Sequence, residues 1–162
     1  MNQVATPKAA PKRFPEELVS SALFLLKRLG MNAKERSFDA YEELGLHPYH
    51  HAILAVLDQG TLETQGAIAD ALGYDKGQLV GLLDELEDAG LVERKRDTAD
   101  RRRHLVHMTP AGRKALGKLR RLSDALEDEF FSPLGPAERK QLHGLLLRLA
   151  EEHLPNCRAP KP

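Results

Sequence analysis

The hydrophobic pattern of this sequence changes period once, and that change limits the folds open to the chain. Leucine recurs at helical spacing through most of the chain, as in the run Leu79, Leu82, Leu83 and Leu86. Between residues 91 and 108 the pattern is instead that of two short strands, LVERKR and RHLVHM, separated by the polar segment DTADRR. We therefore expect a mainly α-helical protein with one small β-hairpin.

Two short helices precede the hairpin and are joined by a tight turn. The first covers residues 64–72 and stops at Gly73, and Asp75 can cap the second. Gln78 follows Asp75 at the spacing of a reciprocal capping box, and the second helix ends at Gly90. Two short helices joined in this way are typical of a helix-turn-helix. A hairpin that follows a helix-turn-helix forms a wing.

Further amphipathic helices are predicted on both sides of this core. Apolar residues recur at helical spacing within residues 18–29, 47–59, 116–130 and 142–149. The outer helices carry more leucine than a small winged core can cover, so we expect a second copy of the chain as a partner. An intramolecular helical bundle is the alternative.

The charges balance over the whole chain but not within its segments. With 24 Lys and Arg against 24 Asp and Glu the net charge is zero, which by itself argues against a nucleic-acid partner. Residues 75–89 hold one lysine and five carboxylates, a net charge of −4. Residues 90–108 hold six basic and three acidic residues, a net charge of +3. A basic wing therefore follows an acidic helix.

Composition also limits the compartment and the chemistry. Cys157 is the single cysteine, so a disulfide framework and a cysteine-rich metal site are both excluded. The sequence has neither a run of about 18 apolar residues nor the apolar segment of a secretion signal, which predicts a soluble, cytoplasmic protein without a membrane partner. Motifs of zinc proteases, P-loop enzymes, serine hydrolases and dinucleotide-binding enzymes are absent. We expect neither enzymatic activity nor a cofactor.

These patterns predict five segments along the chain. Residues 1–15 are expected to be a mobile arm, residues 16–46 an N-terminal dimerisation region, and residues 47–108 a winged helix-turn-helix domain that binds DNA. Residues 109–153 follow as C-terminal dimerisation helices. Residues 154–162 are predicted to be a disordered tail.

Three motifs in order resemble the MarR family of bacterial transcriptional regulators. They are LLDELEDAGLVER at residues 82–94, DRR at residues 100–102 and TPAG at residues 109–112. The resemblance covers residues 16–153 and implies an obligate homodimer of winged helix-turn-helix subunits. Such a dimer binds a palindromic double-stranded DNA operator, usually to repress transcription. The resemblance also implies release of the operator on oxidation or on binding a small-molecule effector.

The second helix of the predicted helix-turn-helix is expected to enter the major groove of DNA. Opposite its leucines, Lys76 can meet a phosphate or a guanine, Gln78 an adenine edge and Val80 a thymine methyl group. The five carboxylates of residues 75–89 oppose such binding, because they repel phosphates. They leave open a second hypothesis, a MarR-like dimer that has lost specific DNA reading and binds a ligand or another protein.

The wing supplies positive charge for the minor groove and the DNA backbone. Arginine side chains gain from the negative potential of a narrow minor groove. By the resemblance, Arg102 matches the wing-tip arginine of the family, and Asp100 is placed to orient it. The alternative for a basic hairpin is a solvated loop. The wing residues predicted to contact DNA are Arg94, Arg96, Arg101, Arg102 and Arg103.

The start of the helix at residues 47–59 concentrates aromatic and imidazole side chains. The resemblance implies an effector pocket between the dimerisation helices and the winged domain, and these side chains can hydrogen-bond a phenolic or carboxylate ligand. The histidines can instead cap the helix, pack or face solvent. The residues predicted to contact an effector are Tyr41, His47, Tyr49, His50 and His51.

Histidine spacing also raises the question of a metal site. His47 precedes His50 and His51 by three and four residues, which places it beside them on one helical face. His104 and His107 share a predicted strand. No carboxylate or cysteine occupies a convincing companion position in the sequence, so no metal site is predicted.

Overall fold

The computed structural model describes residues 13–60 and 64–157, and the chain divides into two compact units, residues 1–35 and 36–162. Most of the predicted arm, residues 1–12, lies outside the described residues, as do residues 158–162. The described α-helices are α1 (Glu16–Val19), α2 (Ala22–Glu42), α3 (Pro48–Asp58), α4 (Gln65–Leu72), α5 (Lys76–Asp88), α6 (Pro110–Phe130) and α7 (Pro136–His153). The strands β1 (Val92–Arg96) and β2 (His104–Met108) pair antiparallel. The predicted mainly helical fold with a β wing is confirmed.

The first unit contains a break that the leucine stripe does not reveal. The pattern at residues 18–29 predicts one continuous helix, but α1 and α2 are separated at Ser20 and Ser21. The Ser20 hydroxyl donates to the carbonyl of Glu16 (2.8 Å), and Ser21 Oγ accepts the backbone N–H of Phe24 (3.2 Å). Serine side chains compete for backbone groups in this way, so one helix stops and the next is capped. The prediction of a single helix here is wrong.

The core of the second unit lies where α3, α4, α5, α6 and the hairpin meet. Pro48 occupies the first turn of α3, where a backbone N–H would have no helical partner. The predicted leucines Leu79, Leu82, Leu83 and Leu86 form the buried face of α5. The other buried apolar residues of the core are Tyr41, Ile53, Leu54, Leu57, Ile68, Ala69, Val92, Val106, Leu116 and Leu119.

The turn between α4 and α5 has the predicted helix-turn-helix form. Thr64 caps α4, and Gly73 ends it in the left-handed region (φ +65°), which glycine adopts without steric cost. Asp75 Oδ1 accepts the backbone N–H groups of Gly77 (2.8 Å) and Gln78 (3.2 Å) and so caps α5. Among the described hydrogen bonds, none returns from the Gln78 side chain to Asp75. Only half of the predicted capping box forms, and the Gln78 side chain is exposed.

A junction of backbone and side-chain contacts joins the wing to α6. Thr109 caps α6 by accepting the Gly112 N–H (3.0 Å), and its hydroxyl donates to the carbonyl of Gly90 (2.7 Å). The Thr109 backbone N–H donates to the carbonyl of Leu91 (3.0 Å). Gly112 lies so close to this carbonyl that a Cβ would come within 2.1 Å of its oxygen. Gly90 and Leu91 therefore meet the TPAG motif in one contact.

Apolar side chains remain exposed in the first unit and on α7. Leu23 is 75% exposed, and no residue of α7 is buried. None of the helices within residues 13–60 and 64–157 is long and apolar enough to cross a membrane. The exposed large apolar residues of α1, α2 and α7 are Leu18, Val19, Leu23, Leu25, Leu26, Leu29, Met31, Leu145, Leu147 and Leu149.

The C-terminal tail is described as far as Cys157. Pro155–Cys157 form one turn of 3₁₀-helix, and the Asn156 side chain donates to the carbonyl of Asp70 (3.4 Å). This turn lies within the predicted tail at residues 154–162, whose last five residues are outside the described chain.

Candidate nucleic-acid interface

The N-terminal half of α5 is exposed to solvent on the side opposite its buried leucines. Lys76, Gln78 and Val80 are all exposed, Val80 by 41%. A Cβ on Gly81 would lie in open space, so no contact within the chain requires glycine at this position. The three residues predicted to meet bases or phosphates thus lie on the solvent side of α5, opposite its buried leucines.

Arg94 engages two of the five carboxylates of the acidic helix. Its Nε–H and Nη2–H donate to Glu87 Oε2 (2.9 and 2.5 Å), and Nη2–H also reaches Asp84 Oδ1 (2.5 Å). The Arg94 backbone N–H donates to Glu87 Oε1 (2.9 Å). These hydrogen bonds hold the pKa of Glu87 below its ordinary value. Arg94, predicted to contact DNA, is used inside the protein to join β1 to α5.

Glu85 faces the start of α3. Its Oε2 lies 2.7 Å from His50 Nε2 and 3.4 Å from His47 Nε2. The two imidazole rings stack with 3.7 Å between centroids, and His50 is only 3% exposed. Burial, and then the neighbouring His47, lower the pKa of His50 and favour its neutral form. With Asp75 used as a cap, three of the five carboxylates of residues 75–89 accept hydrogen bonds within the chain, and Glu85 lies against the two histidines.

Two aspartates shape the tip of the wing through the backbone. Asp97 Oδ1 accepts the N–H of Ala99 (2.8 Å), and Asp100 Oδ1 accepts the N–H of Arg102 (3.0 Å). Side-chain-to-backbone bonds over two residues are Asx turns, which stabilise a tight change of direction. Asp100 therefore holds Arg102 through a bond to its main chain.

The basic side chains of the tip are exposed. The ion pairs of the described wing use Arg94 and Lys95, the latter with Glu93 at 2.7 Å. Arg96 and residues 101–103 are open to solvent. The wing thus presents four exposed arginines, although part of its net charge is used internally.

A cavity of about 320 Å³ lies between this tip and the start of α4. The N–H groups at a helix start carry partial positive charge, to which two guanidinium groups are added here. The cavity suits an anionic oxygen such as that of a DNA phosphate. It is lined by Thr64, Gln65, Gly66, Arg102, Arg103 and His104.

The five residues predicted to contact an effector fall into two groups with different partners. Tyr41 Oη and His51 Nδ1 are hydrogen-bonded (2.8 Å), and burial raises the pKa of Tyr41 and lowers the pKa of His51. In the other group, His47 stacks on His50, and Tyr49 packs edge-on against His47 with 5.5 Å between centroids. The five predicted effector residues therefore do not form one group, and their side chains contact one another within the chain.

A cavity of about 370 Å³ lies at the start of α6, and none of the residues predicted to contact an effector lines it. Lys114 and Lys118 lie one helical turn apart and share a face of α6. An anionic group on an apolar body matches this lining. The i, i+4 lysine pair is the one signal of it in the sequence. The lining residues are Leu44, Gly45, Leu46, Ala89, Leu91, Ala111, Lys114, Ala115 and Lys118.

A helix-turn-helix followed by a two-stranded wing with an exposed basic tip defines the class of winged helix-turn-helix proteins. The family model described as "MarR family" matches residues 44–103. The chain belongs to the MarR family of transcriptional regulators.

Individual relatives agree with this assignment. The chain is 35% identical over 105 residues to a putative transcriptional regulatory protein for the hcr operon of Thauera aromatica, and the match spans 65% of this chain but only 63% of that protein. It is similar to the transcriptional repressor CouR bound to a 23-mer DNA duplex, with 30% identity, a TM-score of 0.77, and coverage of 86% of this chain and 99% of that one. It is also similar to CouR from Rhodococcus jostii RHA1 bound to p-coumaroyl-CoA, with 27% identity, a TM-score of 0.69, and coverage of 84% and 96%.

Proposed function

We propose that the chain acts as a homodimer that binds a palindromic double-stranded DNA operator and represses transcription until a small effector releases it. The observation that carries the proposal is the distribution of charge. Four arginines of the wing are exposed, while three of the five carboxylates of residues 75–89 accept hydrogen bonds within the chain, two of them from the Arg94 cation. The repulsion between the carboxylates of residues 75–89 and DNA phosphates, which argued against DNA binding, is thereby reduced.

In this proposal α5 enters the major groove and the wing reaches the adjacent minor groove. Lys76, Gln78 and Val80 meet base edges or phosphates, since they lie in the exposed N-terminal half of the helix. Arg102 enters the minor groove, and its basic neighbours contact phosphates. The cavity beside the start of α4 receives a backbone phosphate.

Dimerisation is supported by the apolar surfaces that the single chain leaves uncovered. The exposed leucines of α2 and of α7 form stripes at helical spacing, and exposed apolar surface of this kind marks an interaction site. A second copy of the chain is the partner that the family resemblance implies. Two copies related by a two-fold axis present two α5 helices to the two halves of a palindrome.

The effector of this proposal is a small aromatic acid or its thioester. The cavity beside Lys114 and Lys118 supplies two cations and an apolar floor, and CouR is seen with an aromatic acyl thioester. Such a ligand releases DNA only if it binds the free form of the dimer more tightly than the DNA-bound form.

Selection of duplexes from a random pool tests the DNA-binding function. We expect enrichment of a palindrome whose half-sites are about one helical turn apart. Binding that is salt-sensitive but without a consensus would contradict the proposal and support a MarR-like module that no longer reads sequence. The enriched duplex then provides the assay for release by aromatic acids and thioesters.

Arg94 provides a second test of the proposed charge distribution. Its charge can neutralise Asp84 and Glu87, or it can contact DNA directly. Arg94→Ala leaves Asp84 and Glu87 without their cation, and we expect operator binding to weaken about tenfold from local repulsion. In the triple variant with Asp84→Asn and Glu87→Gln the repulsion is removed, so binding should return to the wild-type level. Fluorescence anisotropy titrations measure both constants. A triple variant as weak as the single one would show that the loss of the Arg94 side chain itself, and not repulsion by Asp84 and Glu87, weakens binding.

A further inference from the structure

We infer that His47, His50 and Glu85 form a binding site for a divalent transition-metal cation, and that Zn²⁺ suits it best. The Nε2 atoms of both histidines and one carboxylate oxygen of Glu85 converge, with their ligand atoms within 4.8 Å of one another. The histidines belong to the start of α3 and Glu85 to α5. The companion carboxylate that the sequence lacks near the histidines is therefore supplied by the fold.

The chemistry of these donors selects the class of ion. Two imidazoles and one carboxylate match the nitrogen and oxygen ligands of Zn²⁺, whereas Mg²⁺ and Ca²⁺ prefer oxygen ligands alone. Three protein ligands leave a fourth tetrahedral position for water. The Glu85 side chain is 59% exposed, so an ion can enter from solvent.

The contact between His50 and Glu85 has the distance of a hydrogen bond but not its geometry. The atoms His50 Nε2 and Glu85 Oε2 are 2.7 Å apart, yet the buried Nε2 has no hydrogen-bond partner of acceptable geometry among the described residues. Buried polar atoms nearly always have such a partner. A cation bound by both groups would satisfy the imidazole lone pair and the carboxylate together, once the two atoms move from 2.7 Å apart to the separation of about 3.3 Å that tetrahedral coordination requires.

Coordination also sets the tautomer of His50. Its Nδ1 accepts the backbone N–H of His47 at 3.3 Å. With a cation on Nε2 the ring proton resides on Nδ1, which can then only donate, so this bond is lost. The bond is long and therefore weak. Its loss alters the first turn of α3 at small cost, which favours an exchangeable ion over a permanent structural one.

An ion at this position would act on the proposed DNA-reading helix. It would tie Glu85 of α5 to α3 and neutralise one carboxylate of the acidic helix. Both effects favour DNA binding, so operator affinity should rise several-fold when the site is filled. This consequence rests on the proposed function, whereas binding of the ion does not.

A cobalt titration of the full chain, stripped of metals with a chelator, tests the site without DNA. Co²⁺ reports its ligand field by visible absorption, and Zn²⁺ should displace it. We expect one ion per chain, with Glu85→Gln and His47→Gln each weakening binding at least about tenfold. His50 is left unchanged in this design because its burial makes a substitution prone to unfold the protein.

Two matched variants control for binding elsewhere. Asp88→Asn removes an exposed carboxylate from the same helix, and His104→Gln removes an exposed imidazole from the wing. Both should bind Co²⁺ as the wild type does. The proposal is overturned if no absorption band develops, or if Glu85→Gln and His47→Gln bind Co²⁺ like the controls. A filled site that leaves operator affinity unchanged would overturn the coupling to DNA and leave the site established.

Discussion

Gly112→Ala is expected to lower the midpoint of thermal unfolding by about 6–12 °C, the shift that a loss of about 3 kcal/mol produces in a chain of this size. An alanine Cβ would lie 2.1 Å from the Leu91 carbonyl oxygen and 2.7 Å from Met108 Cγ. The methionine can move, but the carbonyl belongs to the backbone and accepts the Thr109 N–H. The wing and α6 must therefore separate, which breaks their shared hydrogen bonds. Circular dichroism during heating measures the shift.

Gly144→Ala is the matched control for this substitution. It makes the same change within α7, where a Cβ meets no atom within 4 Å. Alanine is the better helix former by about 0.5–1 kcal/mol, so this variant should be as stable as the wild type or slightly more stable. If both alanine variants melt together with the wild type, the close approach of Gly112 to Leu91 does not exist in solution.

Arg102→Ala is expected to weaken operator binding about 100-fold, because in the proposed dimer a contact of about 1.4 kcal/mol is lost in each of the two subunits. The fold of the tip should survive, since Asp100 bonds to the backbone N–H of Arg102, which alanine retains. Gel-shift titration gives the affinity, and analytical ultracentrifugation checks that the dimer persists.

Arg148→Ala controls for the loss of one positive charge. Arg148 is exposed on α7, outside the wing, so its removal should change operator affinity little. Arg102→Lys keeps the charge at the tip but loses the planar guanidinium, and an intermediate affinity is expected if the minor groove is read by arginine specifically. Unchanged binding by Arg102→Ala would make the wing a solvated loop.

Much of the fold could be predicted because its determinants are local. The cap at Asp75 and the terminating Gly73 act on residues a few positions away, and both predictions are confirmed. The buried leucine face of α5 follows from the helical period alone. The break between α1 and α2 was missed because the hydrogen bonds of Ser20 and Ser21 do not disturb the leucine spacing.

The candidate site was less predictable because its decisive contacts join distant segments. The charge count of residues 75–89 is correct, but it cannot reveal that Arg94 neutralises Asp84 and Glu87 from a neighbouring strand. In the same way, Glu85 meets histidines that precede it by more than 30 residues. Contacts between side chains of different helices and strands depend on packing. The hydrophobic period of a single element does not predict them.

The two attachments of the hairpin also limit how such a protein can be regulated. Arg94 fastens β1 to α5, and Thr109 and Gly112 fasten the hairpin to α6. We therefore expect α5 and the wing of one subunit to move together as one rigid body. In the proposed dimer an effector is therefore not expected to change the position of α5 relative to the wing of its own subunit. It releases DNA by changing the distance between the α5 helices of the two subunits. Variants that separate the wing from α6 should then bind DNA poorly with and without effector, whereas variants in the helices of the proposed dimer interface should change the response to the effector.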